Sequence, residues 1–316
     1  LASSLSTSAR PACAAIKTGV TPLLLAFVMS GFLILASLGL FFTQGLNLGI
    51  DFLGGILIEI KTDGPADLGA LRTKLGNLNL GDVTLQEFGA PNDVLIRVQK
   101  QDGGDSGQQA AIDAVKNALG DVVVEYRRTE FVGPTVGAEL REAATWAVLM
   151  AIGAILMYVW FRFEWQFGVG AVIALVHDVI TTIGLFSLIQ LEFNLATVAA
   201  VLTIAGYSIN DTVVVYDRVR ENMRRYKKMP MAELLNNSLN QTLSRTTMTS
   251  VTTLLALVAL YIFGGEVIRG FSIALIWGVI IGTYSSIWLA VPFLLYVRPR
   301  RGGEESEGEY SKAKAL

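Results

Sequence analysis

The sequence predicts a polytopic α-helical membrane protein with six transmembrane helices and a small α+β, ferredoxin-like extracytoplasmic domain between helices 1 and 2. Three observations predict it. The 316 residues are 52% apolar and 16% charged, which sets the chain on the membrane side of the averages for soluble proteins. Six apolar runs, 23–42, 143–161, 169–191, 195–216, 242–263 and 271–297, each reach the about 20 residues that a helix needs to cross hydrocarbon. One polar stretch, 44–141, is long enough for a small domain.

In chain order, residues 1–20 are rich in Ser, Ala and Thr and read as a disordered tail. Residues 21–43 form the first span, too long for a signal-peptide core and so an anchor. The outer domain, 44–141, opens on a glycine-rich neck in which Gly54 and Gly55 follow Asp51. Beyond it, alternation and turn residues predict strands at 55–60, 83–88, 94–98 and 122–126, and helices at 66–76 and 108–119. A turn is expected at 89–93, where Pro91 and Asn92 lie. The order βαββαβ is the ferredoxin-like plan, which hosts unrelated functions. The single cysteine, Cys13, excludes an internal disulfide, so this domain must stand on its own core. Residues 131–137 read as a stiff and then flexible joint to the remaining spans, 142–297. Within the last span Gly278, Gly282 and Ser286 recur every four residues, a face on which another helix packs closely.

Charge sets the expected topology. The loop 217–244 carries Arg218, Arg220, Arg224, Arg225, Lys227 and Lys228, and the tail 298–316 begins with Arg298, Arg300 and Arg301. By the positive-inside rule both are cytoplasmic, as are Arg162 and the N-terminus with Arg10 and Lys17. Residues 44–141 are then periplasmic or extracellular; they carry fourteen acidic against nine basic residues.

Function is carried by charge where hydrocarbon tolerates none. In the fourth span, Thr203, Tyr207, Asn210 and Asp211 share a helical face, with Ser208 nearby. In the fifth, Thr242, Arg245, Thr249 and Thr252 recur at helical spacing, and the two stripes are expected to face each other or a wet interior. Burial favours a neutral Asp211 and approach of Arg245 an ionised one, so movement of Arg245 can be coupled to protonation. The third span places His177 beside Asp178. Adjacent helical side chains point about 100° apart, so no pair is expected there, and Asp178 is expected to bond to Thr181 or Thr182. Asp178 with Asp211 as paired carboxylates would make an intramembrane aspartyl protease, but the Gly-x-Gly-Asp half of that signature is missing.

Four stretches, GLNLGIDFLGG, AGYSINDTVVVYDRVREN, LNQTLSRTTMTSVTTLLALVALYIFGG and GFSIALIWGVIIGTYSSIWLAVPFLL, resemble the SecD/SecF family of protein-export subunits within the resistance-nodulation-division superfamily. The resemblance covers roughly residues 20–300. It implies half of a resistance-nodulation-division transporter, with SecD as the partner half, the SecYEG translocon beside it and exported unfolded polypeptides as substrates. It further implies residence in the lipid of the cell inner membrane and use of the proton motive force in late steps of export. The family's transmembrane acid and arginine fall on Asp211 and Arg245. Protons are the coupling ion, with no catalytic residue, other cofactor, metal or nucleic acid implied. A lipid or small-molecule exporter of the same superfamily is the nearer alternative.

Overall fold

The computed structural model describes residues 20–297 and Pro299; the expected tails fall almost wholly outside them. The first membrane helix, α1 (Val20–Gln44), gives way to a one-turn helix, α2 (Ile50–Leu53), and then to β1 (Gly55–Thr62), α3 (Leu68–Gly76), β2 (Val83–Phe88), β3 (Ala90–Val98), α4 (Gly104–Leu119) and β4 (Val123–Val132). The four strands pair antiparallel in the order β2-β3-β1-β4, the ferredoxin-like arrangement expected.

Ile56, Ile58 and Ile60 alternate along β1 and, with Val94, Ile96 and Val98 of β3, meet Leu71 and Leu75 of α3 and Ala111, Ile112, Val115 and Leu119 of α4. Each such fully buried side chain contributes about 1.5–3 kcal/mol. The start of α3 is fixed by Asp67, whose carboxylate accepts from the backbone N–H groups of Gly69 and Ala70 at 2.9 and 3.0 Å. On the opposite face of the sheet, Leu57 and Leu95 pack against Ile50 of α2, so the neck covers the side that the domain's own helices leave open.

Two expectations for this domain are corrected. The turn at 89–93 shrinks to Gly89, with Phe88 paired to Ala90 and Pro91 already in β3. The last strand runs on to Val132 because it is an edge strand, where charged residues are tolerated. Arg127 there meets Asp93 at 2.7 Å, and Arg128 meets Glu130 at 2.6 Å.

The remaining helices are α5 (Pro134–Arg162), α6 (Trp165–Ile189), α7 (Leu195–Arg225), α8 (Met231–Phe263), α9 (Arg269–Ser285) and α10 (Val291–Val297), the last two joined by a π-helical turn, Ser286–Ala290. With α1 they supply six helices long and apolar enough to span a membrane. The chain is a multi-pass membrane protein. Residues 134–137 of the expected joint are already helix in α5, leaving Gly133 as the whole connection to β4. Most of the expected basic loop is helical too, because Arg, Glu, Gln and Leu are good helix formers once the chain has left hydrocarbon; only 226–230 separates α7 from α8.

The centre of the bundle is α6, α7 and the α9–α10 span. The face predicted from Gly278, Gly282 and Ser286 packs on α7: Gly278 lies against Ile204 and Gly282 against Ser208, and the Ser286 hydroxyl meets Thr212 at 2.8 Å. By contrast α1, α5 and α8 leave most of their membrane-spanning surface uncovered. At the end remote from the sheet domain, Phe163, Phe167, Tyr216, Val219, Leu234 and Leu294 close the bundle.

Candidate functional site

Helix α7 carries polar contacts on two flanks. Toward α8, Asp211 is buried and its Oδ1 accepts from the Thr246 hydroxyl at 2.8 Å. Its Oδ2 is also buried and has no hydrogen-bond partner among the described residues. One turn toward the sheet domain, the Tyr207 hydroxyl donates to Ser250 at 3.4 Å, and Ser250 meets Thr283 of α9 at 2.7 Å. The α8 stripe facing Asp211 is therefore Thr242, Thr246 and Ser250, all buried, rather than the expected Thr242, Arg245, Thr249 and Thr252.

Arg245 is exposed and forms no ion pair or hydrogen bond with Asp211 among the described residues, so the expected acid–arginine contact is not made in this arrangement. Thr249 and Thr252 are exposed as well and bond back to the carbonyls of Arg245 and Met248 at 3.1 and 2.8 Å. On α7, Thr203 and Asn210 are exposed, and Thr203 bonds to its own helix at Ala199. These polar groups do not line an interior of this chain. They share one side of the α7–α8 pair, open toward whatever lies beside it in the membrane.

Toward α6 and α9 the arrangement is closed. Asp178 and His177 are fully buried. Contrary to expectation the two adjacent side chains do pair, His177 Nδ1 to Asp178 Oδ1 at 2.8 Å, because both bend into the same crevice between helices. Thr181 and Thr182 bond to the backbone carbonyl of Asp178 and not to its carboxylate. The carboxylate instead accepts from Ser208 of α7 at 2.5 Å and Ser285 of α9 at 2.7 Å. Ser208 thus serves Asp178, not Asp211. Asp178 and Asp211 are not hydrogen-bonded to each other, so the paired-carboxylate geometry of an aspartyl protease is not formed.

The neck reaches α7 directly. Asp51 Oδ2 accepts from the backbone N–H of Leu195, the first residue of α7, at 2.9 Å. Together with the Asn194–Thr197 capping box it fills helix-start donors that would otherwise lack partners. Asn47 bonds to the Gln190 carbonyl at 2.8 Å, and backbone bonds run from Phe193 N to Asn47 O and from Gly49 N to Phe193 O. From the sheet, Arg97 of β3 binds Asn47 at 2.7 Å and Glu192 at 2.8 Å. The neck glycines are held by geometry. Gly55 has φ +120°, and a Cβ there would sit 2.5 Å from the Val98 carbonyl; one on Gly137 of α5 would approach Gly54 N to 3.1 Å. Asn47, Arg97, Thr246 and Ser285 carried no signal in the sequence beyond their polarity, since their partners are remote in the chain.

The model of the SecD/SecF GG motif matches residues 39–66, the end of α1, the neck and β1. The model described as protein export membrane protein SecD/SecF, C-terminal, matches residues 112–300, which hold both carboxylates and every helix they touch. The chain belongs to the SecD/SecF family. It is 52% identical over 278 residues to the protein translocase subunit SecF of Magnetococcus marinus, covering 87% of this chain and 89% of that one. It is 47% identical over 291 residues to the SecF subunit of Cereibacter sphaeroides, covering 90% of each. Among solved structures, SecDF of Thermus thermophilus, described as a translocon-associated membrane protein, superposes with a TM-score of 0.81 at 37% identity, over 89% of this chain. This chain spans 38% of that longer one.

Proposed function

We propose that this SecD/SecF family member is an accessory subunit of the Sec protein translocase, one half of a proton-coupled complex whose other half is a SecD-type chain. The observation that carries the reading is the Asp211 site. A buried carboxylate with one hydroxyl donor and one oxygen left open sits beside an exposed stripe of Thr203, Asn210, Arg245, Thr249 and Thr252. A static ion pair needs none of that, whereas a proton carrier needs an acceptor that can change its partners. In a complete complex the partner half covers the stripe, as expected of transporters that place their sites between repeat halves. The Thermus structure, in which a matching region is part of one longer SecDF chain, supports a partner of that kind.

In this mechanism Asp211 takes a proton from the outer side and releases it inward. Arg245, one residue from Thr246 on α8, swings toward the ionised carboxylate and away from the neutral one. One charge crossing 100 mV supplies about 2.3 kcal/mol, enough to bias a two-state motion. Asp51 and Arg97 pass that motion from the start of α7 to the sheet domain, which acts on the emerging polypeptide beside SecYEG. The basic residues of 217–228 lie in the cytoplasm, both termini with them, and the sheet domain lies on the outer side of the inner membrane. The test is export by inverted membrane vesicles carrying Asp211→Asn. Proton-dependent export is expected to vanish while the chain stays inserted and still co-purifies with SecD and SecYEG; a normal rate under a proton gradient would refute the carrier role.

A further inference from the structure

We propose that Asp178 is a positioning residue for this proton coupling: its carboxylate pins α7 to α6 and α9, so that Asp211 is presented in register to α8 alone. The proposal rests on the carrier reading of Asp211. Three helices converge on one buried carboxylate, with His177 on Oδ1 and both Ser208 and Ser285 on Oδ2. Successive turns of α7 toward Arg225 continue the attachment. Thr212 meets Ser286 at 2.8 Å, and the buried Tyr216 hydroxyl donates to the Ala290 carbonyl at 2.9 Å. Both partners lie in the π-helical turn Ser286–Ala290, a local widening of the kind frequent at functional sites. One turn before them Gly282 lets α9 close on Ser208.

The contrast with the other flank gives the inference its direction. Within the apolar runs, the side-chain bonds from α7 to α8 among the described residues are Asp211–Thr246 and the long Tyr207–Ser250 contact. Ser250 also reaches Thr283 of α9, and Asn222 bonds Ser238 and Gln241 at the basic end, where α7 and α8 turn back on each other. Asp178 has both oxygens occupied, while Asp211 keeps one open. A buried carboxylate with both oxygens partnered rigidifies the helices it joins, so α6, α7 and α9 behave as one block and α8, with Arg245, is the part that shifts. Asp211 is three residues from Ser208, so any slip of α7 at the pin displaces Asp211 from Thr246. The titratable groups facing this corner are His177 on α6 and Tyr284 on α9, whose ring lies 6.2 Å from the imidazole; α1 presents Ser30, bonded to Tyr284, and α7 presents Ser208.

Asparagine can reproduce the pin and alanine cannot. The amide oxygen of Asn at 178 can accept from both serines, and its N–H can donate to His177 Nδ1 once the imidazole proton moves to Nε2, which has no partner among the described residues. The experiment measures proton-dependent export against pH in vesicles carrying the whole complex, normalised to folded complex. Asp178→Asn is expected to keep export within about twofold, whereas Asp178→Ala, misplacing the acid, loses about tenfold or more. The residual export of Asp178→Ala is expected to show a moved pH midpoint, because Asp211 then titrates in altered surroundings. If Asp178→Ala does not accumulate, Ser208→Ala with Ser285→Ala removes the same ties and is expected to give the same shift. Equal loss in Asp178→Asn and Asp178→Ala overturns the proposal, because Asp178 would then act through its own charge. A lower amplitude with an unmoved midpoint overturns it too, leaving a purely structural residue. Normal export by Asp211→Asn in parallel vesicles would locate the failure in the carrier reading instead.

Discussion

The Asp211 carboxylate depends on one donor, and that makes Thr246 the most exposed point of the mechanism at the scale of single residues. Removing a hydroxyl from a buried carboxylate costs about 1–3 kcal/mol in lost hydrogen bonding, and here it leaves both oxygens without partners. Thr246→Val is therefore expected to depress proton-dependent export by about tenfold or more at unchanged abundance, and Thr246→Ser to restore it; equal export by the valine and threonine proteins would remove Thr246 from the site. Thr249→Val, whose hydroxyl bonds only to its own helix, should matter far less in the same assay. The sequence pointed to Asp211 and Thr242 but followed a stripe of α8 that does not bond Asp211 in this arrangement, and the reason is periodicity. From Thr242 a helix continues equally well by threes, to Arg245, or by fours, to Thr246 and Ser250, since 3.6 residues per turn lies between. Only the neighbouring helix selects one series. The His177–Asp178 pair escaped for a similar reason: the about 100° between adjacent positions describes the Cβ directions, and two flexible side chains in one crevice can close that angle.

At the scale of elements, the α7–α9 seam was legible, because small residues every four positions mean close approach whatever the partner is. What the sequence left open was the partner, Ile204, Ser208 and Thr212 of α7, whose spacing of four is ordinary in any helix. The seam makes a specific prediction. A side chain added at Gly278 collides with the Ile204 side chain, whereas one at Gly153 of α5 meets nothing within 4 Å. Gly278→Val is expected to destabilise the bundle by about 1–3 kcal/mol through overpacking, and Gly153→Ala to be neutral; thermal unfolding in detergent decides, and similar midpoints for both variants would mean that the seam does not hold the bundle together. The plan of the sheet domain was legible too, from alternation and the βαββαβ element order. Its last strand was read too short because Arg127, Arg128 and Glu130 look like loop residues until β1 is seen to pair with them as an edge.

Across the whole molecule, the sheet domain and the membrane bundle meet through the neck, and neither the sequence pattern nor any single element shows how firmly. The ties are specific: Asp51 on the Leu195 N–H, Asn47 on Gln190, and Arg97 joining Asn47 and Glu192. All converge on the turn between α6 and α7, so the sheet is fastened to the two helices that carry Asp178 and Asp211. The neck glycines are poor places to test this connection, since Gly55→Ala would strain a backbone at φ +120° and crowd the Val98 carbonyl, confusing misfolding with lost coupling. Arg97→Gln and Asp51→Ala are better, because both lie on the domain's outer contacts and leave its helix-covered core of Ile56, Ile58 and Val94 untouched. If the domain's position and the state of Asp211 are coupled, each must bias the other, because coupling between sites is reciprocal for equilibrium quantities. Cutting the ties is then expected to reduce export and also to change proton flux through the assembled complex, by several-fold if the ties carry a coupling of about 1–3 kcal/mol. Both quantities are to be read in the same vesicles and normalised to folded complex. Lost export with an unchanged flux per complex would mean that the sheet domain only handles the polypeptide and that the proton site runs without it.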